Sequence, residues 1–322
     1  MTDPEKGNSV AMDAGTGQTA LPGKDSIQEA WPSLPYEAWK DTYATLHMWV
    51  QIAGRIRGAL SPWLNHWWHN TLYVTPRGLT SSPIPCSLRT FEMSFDFIGH
   101  QLLIQTSDGM TRSLGLYPRS VADFYHELKA TLSSLEIEVQ IDLLPHKPAE
   151  PVRYDQDQQH ASYDPPSVER FRRILVQCDR VFKQFRGRFV GKCSPVHLWP
   201  GSFDLAVTRF SGRRTSENDS SDDDSAYELS SAGFWPGSGS LLQPAFYAYT
   251  TPAPAGIQTA SIRPGAAHFD GNLGEFILLY EHVREAADPQ VALLDFLQST
   301  YEAGADLAHW GRAQLESRSS ER

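Results

Sequence analysis

The string Gly-Arg-apolar-x-Gly-x-x-Ser-Pro occurs twice in this chain. It is first Gly54-Arg55-Ile56 with Gly58 and Ser61-Pro62, and 133 residues later Gly187-Arg188-Phe189 with Gly191 and Ser194-Pro195. His66 and Trp68 meet His197 and Trp199 at a spacing of 131, and Leu72, Val74 and Thr75 meet Leu205, Val207 and Thr208 at 133 again. A recurrence of this kind limits the chain to folds that use one supersecondary plan twice.

The flanking patterns supply the plan. In the first half Trp39, Tyr43, Leu46, Val50, Ala53, Ile56 and Leu60 fall three or four apart, one face of a long helix that Pro62 ends. Residues 71–75 read as a strand turned by Pro76-Arg77-Gly78. Met93, Phe95 and Phe97 alternate with polar residues before a turn at Gly99-His100 and strands at 102–106 and 111–116. Ser120 with Asp123 resembles a capping box for a helix carrying Val121, Phe124, Leu128, Leu132 and Leu135, and Ile137, Val139 and Ile141 alternate as a further strand. In the second half Phe171, Ile174, Cys178, Phe182, Phe185 and Phe189 make a helical stripe, and strands are expected at 205–210, 246–250 and 276–280. Asp288-Pro289 opens a closing helix with Val291, Leu294, Leu297 and Tyr301. The predicted fold is α+β: two tandem helix, antiparallel-sheet, helix repeats related by a pseudo-two-fold axis. Around the halves, 31–142 and 167–310, lie a disordered tail at 1–30, a linker with five prolines at 143–166, an acidic mobile loop at 214–228 and a polar tail at 311–322.

The chain has 322 residues, 40% of them hydrophobic and 20% charged, with nine Trp, twelve Tyr and fifteen Phe, enough to build a core. Of its net charge of -10, three negative charges fall in residues 1–30 and six in 216–228. The remaining body is nearly neutral, so no whole-molecule field draws it to nucleic acid or membrane. Cys86, Cys178 and Cys193 are far apart and odd in number, which predicts no disulfide framework and a reducing compartment. No signal core precedes the first helix and no apolar run approaches the ~20 residues of a membrane span, so a cytoplasmic location is expected.

Several longer strings carry a resemblance: residues 201–213 (GSFDLAVTRFSGR), 231–237 (SAGFWPG), Phe246-Tyr247-Ala248-Tyr249, His66-Trp67-Trp68, Leu34-Pro35 with Trp39, and 296–302 (FLQSTYE). Together they resemble a family of uncharacterised proteins, DUF5996, over roughly residues 34–310. The resemblance implies no activity, cofactor or catalytic residue. It also marks a departure, because Ala226-Tyr227-Glu228 lacks the histidine of the A-Y-S-H-E string that family members tend to carry before Gly-Phe-Trp-Pro.

Candidate chemistry is sparse. His66 and His69 are three apart, a spacing that can share a metal on a helix, but this pair precedes a strand and has no acidic or thiol ligand close in sequence, so neither a metal nor a cofactor is predicted. Trp67, Trp68, Trp199, Phe234 and Trp235 form either a core or the walls of a ligand pocket. Arg209, Arg213 and Arg214 flank Ser211-Gly212, an arrangement that can hold a carboxylate or phosphate. The helix carrying Arg170, Arg172, Arg173, Arg180, Lys183 and Arg186 is basic but lacks interleaved exposed aromatics, so nucleic acid is not expected as a partner. Asp204, Glu275, Glu281 and Glu302 are acids whose separation the sequence does not fix, and no GxSxG, GxGxxG or P-loop string occurs. The expected function is binding of a small ligand, an anion included, in a cleft between the halves lined by His66, Trp68, His197, Trp199, Arg209, Arg213 and Trp235. An unrecognised hydrolase or transferase in the same cleft, with His66, His197 or His268 as base, and an interaction module using the acidic loop and the basic helix are the alternatives.

Overall fold

A computed structural model describes residues 24–146, 151–215, 226–239 and 241–317. The acidic stretch 216–225, residues 1–23 of the predicted tail and residues 318–322 lie outside the described residues. Residues 24–30, expected as tail, instead form a helix, α1 (Lys24–Ala30), held by Arg173, whose guanidinium donates to the Glu29 carbonyl, and by Ala30 packing on the core.

The long helix α2 (Tyr36–Leu60) runs through the centre of the molecule. Leu46, Trp49, Val50, Ile52 and Ala53 are fully buried on several of its faces, which is what a helix covered from all sides requires. After it come six short strands: β1 (Tyr73–Thr75), β2 (Gly78–Thr80), β3 (Ile84–Cys86), β4 (Arg89–Asp96), β5 (Gln101–Thr106) and β6 (Thr111–Gly115). They pair antiparallel in the order β1-β2-β4-β5-β6, with β3 on β4. Phe91, Met93 and Phe95 alternate inward on β4, and α3 (Val121–Ser134) begins where Ser120 Oγ accepts the Asp123 N–H at 3.0 Å.

The second half opens with α4 (Pro165–Gly187), N-capped by Asp164. Its strands are β7 (His197–Trp199), β8 (Asp204–Arg214), β9 (Tyr227–Trp235), β10 (Ala245–Thr251), β11 (His268–Asp270) and β12 (Glu275–Leu279), paired antiparallel as β11-β12-β10-β9-β8-β7. Helices α5 (Tyr280–Arg284), α6 (Pro289–Leu307) and α7 (Arg312–Leu315) close the chain. The protein is thus α+β with two antiparallel sheets. The sheets touch where Leu72 and Leu198 exchange backbone hydrogen bonds of 2.9 and 2.7 Å.

Each half runs helix, antiparallel strands, helix, yet the repeated letters do not mark equivalent places. Gly54 to Leu60 of the first string lie in the last turns of α2 with Ser61-Pro62 just past it, whereas Gly187 is the last residue of α4 and the rest of its string lies beyond the helix. The glycines also meet different neighbours. A Cβ on Gly54 would fall 2.5 Å from Pro200 Cγ and one on Gly58 would fall 1.9 Å from Asn70 Oδ1, while nothing lies within 4 Å of Gly187. Leu205, matched in letters to Leu72 beside β1, sits in the second strand of its sheet rather than the first.

Two other segments differ from expectation. Ile137, Val139 and Ile141 point inward alternately but join no strand ladder, so their period reflects one-sided burial alone. Residues 151–164, within the stretch expected as linker, lie along α2: Tyr154 is buried and donates to Gln51 Oε1 (3.2 Å), and Thr45 and Thr42 Oγ1 accept the N–H groups of Ser162 and Asp164, while 165–166 already open α4. The polar tail also docks through α7, with Val190 N donating to the Leu315 carbonyl (2.8 Å) and Ser317 N to that of Arg188 (2.9 Å).

Candidate functional site

One face of the second sheet is hollowed where its middle strands carry small side chains. Thr208 on β8, Ser231 and Gly233 on β9 and Ala245 on β10 keep the floor low, and a cavity of about 510 Å³ stands above them. Trp235 and Trp199 rise on one side, and the Asn65–Asn70 turn brings His66, Trp67 and Trp68 over from the other half. That turn is fastened to α2. Arg57 donates to the carbonyls of Trp68 (3.1 Å) and Thr71, and the missing side chains at Gly54 and Gly58 admit Pro200 and Asn70.

The floor is acidic. Asp204, 7% exposed, accepts hydrogen bonds from the Ser202 and Tyr247 hydroxyls. Tyr247 stands on β10, two strands away from β8, and reaches Asp204 by lying across Gly233, where a Cβ would fall 2.5 Å from its ring. Burial, reinforced by the Asp204 charge, pushes the Tyr247 hydroxyl well above the usual phenol range, so it stays a donor. Glu275 on β12 also lines the cavity, and among the described residues its carboxyl has no hydrogen-bond partner. Its burial, then the neighbouring Asp204 and Asp270 carboxylates, push its pKa up to about 7. The floor therefore holds one carboxylate fixed by hydroxyl donors and one carboxyl poised near neutrality.

The walls carry backbone strain. His66 and Trp67 are consecutive residues at φ 59° and 58°, and Phe203, beside Ser202 and Asp204, is at φ 63°. Such left-handed geometry costs a bulky residue roughly 1–3 kcal/mol and persists only where surroundings impose it. Here the result is Trp67, half exposed, set edge-on against Trp63 with centroids 4.6 Å apart. At the rim Lys192 Nζ donates to His66 Nε2 (2.5 Å) and lies 4.6 Å from the ring centroids of both Phe210 and Tyr227.

Four of the seven expected site residues, His66, Trp68, Trp199 and Trp235, line this cavity. The other three do not. His197 lies beneath it, fully buried against Trp199, Trp68 and Tyr73, with no hydrogen bond to either ring nitrogen among the described residues. Burial, with Arg57 nearby, pushes its pKa down to about 3, so it is neutral packing rather than a base. Arg209 faces the opposite side of β8, its guanidinium carbon 3.4 Å from the Phe185 ring centroid and 4.3 Å from that of Tyr301, and it donates to the Phe185 carbonyl. Burial lowers its pKa to about 10. Arg213 ties the α6 end to the sheet, donating to the Ala308 (2.6 Å) and His309 (3.2 Å) carbonyls and pairing with Glu228 at 2.6 Å. The anion expected from these arginines has lost its carriers, because period-2 alternation turned one away and a helix terminus claimed the other.

Of the four acids, Asp204 and Glu275 meet in the cavity, while Glu281 pairs with Arg284 and Glu302 with Arg312. Tyr247 and Ser202 were not singled out from the sequence; the signal for Tyr247 was a glycine on an apolar strand, Gly233, which marks close approach of another group. The basic face of α4 is engaged by neighbours: Arg172 and Arg173 pair with Glu169, Lys183 with Asp179, and Arg180 bonds Gln290. Phe234 is buried on the opposite face of β9, and His268 is exposed on the β11 strand at the sheet edge.

Among the described residues, no helix is long and apolar enough to cross a membrane. No curated protein and no solved structure matches the chain. Residues 31–317, covering both sheets and the whole cavity lining, match DUF5996, a family of unknown function, and the chain belongs to that family.

Proposed function

We propose that the protein binds a small organic molecule in the pocket between the Asn65–Asn70 turn and the face of the second sheet. The observation that carries this reading is convergence. Tryptophans distant in sequence, Trp67 and Trp68 from one half and Trp199 and Trp235 from the other, enclose one cavity of about 510 Å³ above a floor of carboxyls and hydroxyls. Apolar walls, a few placed polar groups and a volume of roughly 300–1,000 Å³ are the properties of small-molecule sites. A fitting ligand presents a flat or apolar face to the indoles and N–H or O–H donors to Asp204 and Glu275. A thermal-shift screen over cationic, neutral and anionic metabolites tests the reading, since a ligand of the folded state raises the melting temperature by mass action. The expected result is a saturable rise for one chemical class that Trp235→Ala abolishes and Tyr247→Phe weakens. A flat response to every class would assign the indoles to packing.

One observation favours a second reading, an enzyme in the same pocket. Glu275, with a pKa near 7, beside an Asp204 held by two hydroxyl donors, is a pair of carboxyls set to different tasks, as general acid–base catalysis requires. Turnover of a bound hydroxylated substrate, with Glu275→Gln lowering kcat far more than it weakens binding, is the expected result for catalysis. Binding without turnover returns the site to the first reading.

A further inference from the structure

The charges around the cavity define what could fill it. On its floor Asp204 comes from β8 and Glu275 from β12, and Asp270 on β11 stands directly opposite Glu275 in the strand ladder, hence on the same face of the sheet. Three acids thus come to one face, two of them lining the cavity, and no lysine or arginine lines it among the described residues. The uncharged polar neighbours on that face are hydroxyls, Ser202, Thr208, Ser231, Tyr247 and Tyr249. His66 lies at one rim, and exposed His268, opposite Ile277, lies at the other end. Above the acids stand aromatic faces. At the rim a cation already rests on aromatic rings, since the Lys192 ammonium lies 4.6 Å from the centroids of Phe210, which lines the cavity, and Tyr227, which does not.

Resting on the reading that the pocket takes a small ligand, we propose that this ligand is an organic cation, an alkylammonium group enclosed by the indoles with its charge over Asp204 and Glu275. An aromatic enclosure with carboxylates at its base is suited to an ammonium head, since the ring faces and the acids attract the same charge and neither demands a directional donor. A free anion would face Asp204 and Glu275 with Asp270 beside them on the same face, and a neutral ligand would gain nothing from their charge. The raised pKa of Glu275 agrees with this account: a cation seated beside it favours the ionised form, so binding releases a proton around neutrality and strengthens as pH rises through 7.

Choline and its uncharged isostere 3,3-dimethylbutan-1-ol are the probes, titrated calorimetrically into the full-length protein at pH 6 and pH 8. Choline is expected to bind at least tenfold more tightly than the isostere, more tightly at pH 8 than at pH 6, and to release a proton read from buffers of different ionisation enthalpy. Asp204→Asn is expected to weaken choline tenfold or more and the isostere by clearly less, so that the preference for the cation shrinks. Because Asp204 anchors Tyr247 and Ser202, Glu275→Gln serves as the second variant, with thermal melts confirming folding. Equal binding of the two probes would overturn the cation and leave the small-molecule pocket standing. Failure of both probes to bind at 50 mM would also overturn the cation, and the wider metabolite screen then decides the pocket on its own terms.

Discussion

His197 and Arg209 show at the residue scale how a polar side chain is kept for packing. His197 has a folded pKa near 3 because burial disfavours its charge, against roughly 6.5 in an unfolded chain. The unfolded state therefore binds more protons between pH 6.5 and 3, and stability due to neutral His197 is present above pH 6.5 and lost as pH falls through that window. His197→Phe is expected to flatten this acid limb, the wild type losing about 2–3 kcal/mol more than the variant between pH 7 and 4.5 in urea titrations. Identical pH profiles would mean the histidine is not neutral packing. Arg209 is a buried cation stacked on Phe185 and Tyr301, so Arg209→Ala is expected to cost about 2–4 kcal/mol while leaving any pocket ligand bound with unchanged affinity. The sequence presented both residues as site candidates because a residue type carries no information on which face it occupies. Ser120 as a helix cap was legible, by contrast, because a cap is a local event completed within three residues.

At the element scale, glycines decide whether the pocket exists. Gly54 lets α2 and Pro200 approach, and a Cβ there would also lie 3.2 Å from the Asn70 carbonyl, at the base of the turn that carries Trp67. Gly54→Ala is expected to destabilise the protein by about 1–3 kcal/mol through overpacking and to weaken ligand binding by displacing Trp199 and Trp67 together. Gly233→Ala acts on the floor: the methyl would meet the Tyr247 ring at 2.5 Å and turn its hydroxyl from Asp204, which crystallography of the variant would show directly. Helices, strand positions and their alternation were legible here because periods of 3.6 and 2 are written in adjacent residues. The repeated string misled at its end, since Gly54 and Gly187 share a letter and not a neighbour. Ile137, Val139 and Ile141 misled for a related reason, as alternation reports burial and says nothing of a hydrogen-bonded partner.

For the whole molecule, the site is where two distant segments meet, the Asn65–Asn70 turn and a sheet whose first strand begins at His197. Its aromatic half was legible because His66, Trp68, Trp199 and Trp235 stand in distinctive strings. Its acidic half was not, because Asp204 and Glu275 become neighbours only through a sheet order that brings β12 beside β10. Holding that pair has a cost with a definite sign. Glu275 titrates near 7 in the folded protein and about 4.3 unfolded, so the folded state binds more protons between those values and stability falls as pH rises through them. Glu275→Gln is expected to stabilise the ligand-free protein by about 1 kcal/mol at pH 8, allowing for solvent screening, and to change little at pH 5. A variant less stable at pH 8 would contradict the acidic account of the floor.

The nine tryptophans allow the central claim, ligand binding in this pocket, to be read directly. In protein labelled with ¹⁵N at the indole nitrogens, a saturating ligand is predicted to move the signals of Trp67, Trp68, Trp199 and Trp235, which line the cavity, and to leave those of the buried Trp31, Trp39, Trp49 and Trp310 in place. Shifts confined to the buried indoles, or a ligand that binds without moving the four pocket signals, would contradict it.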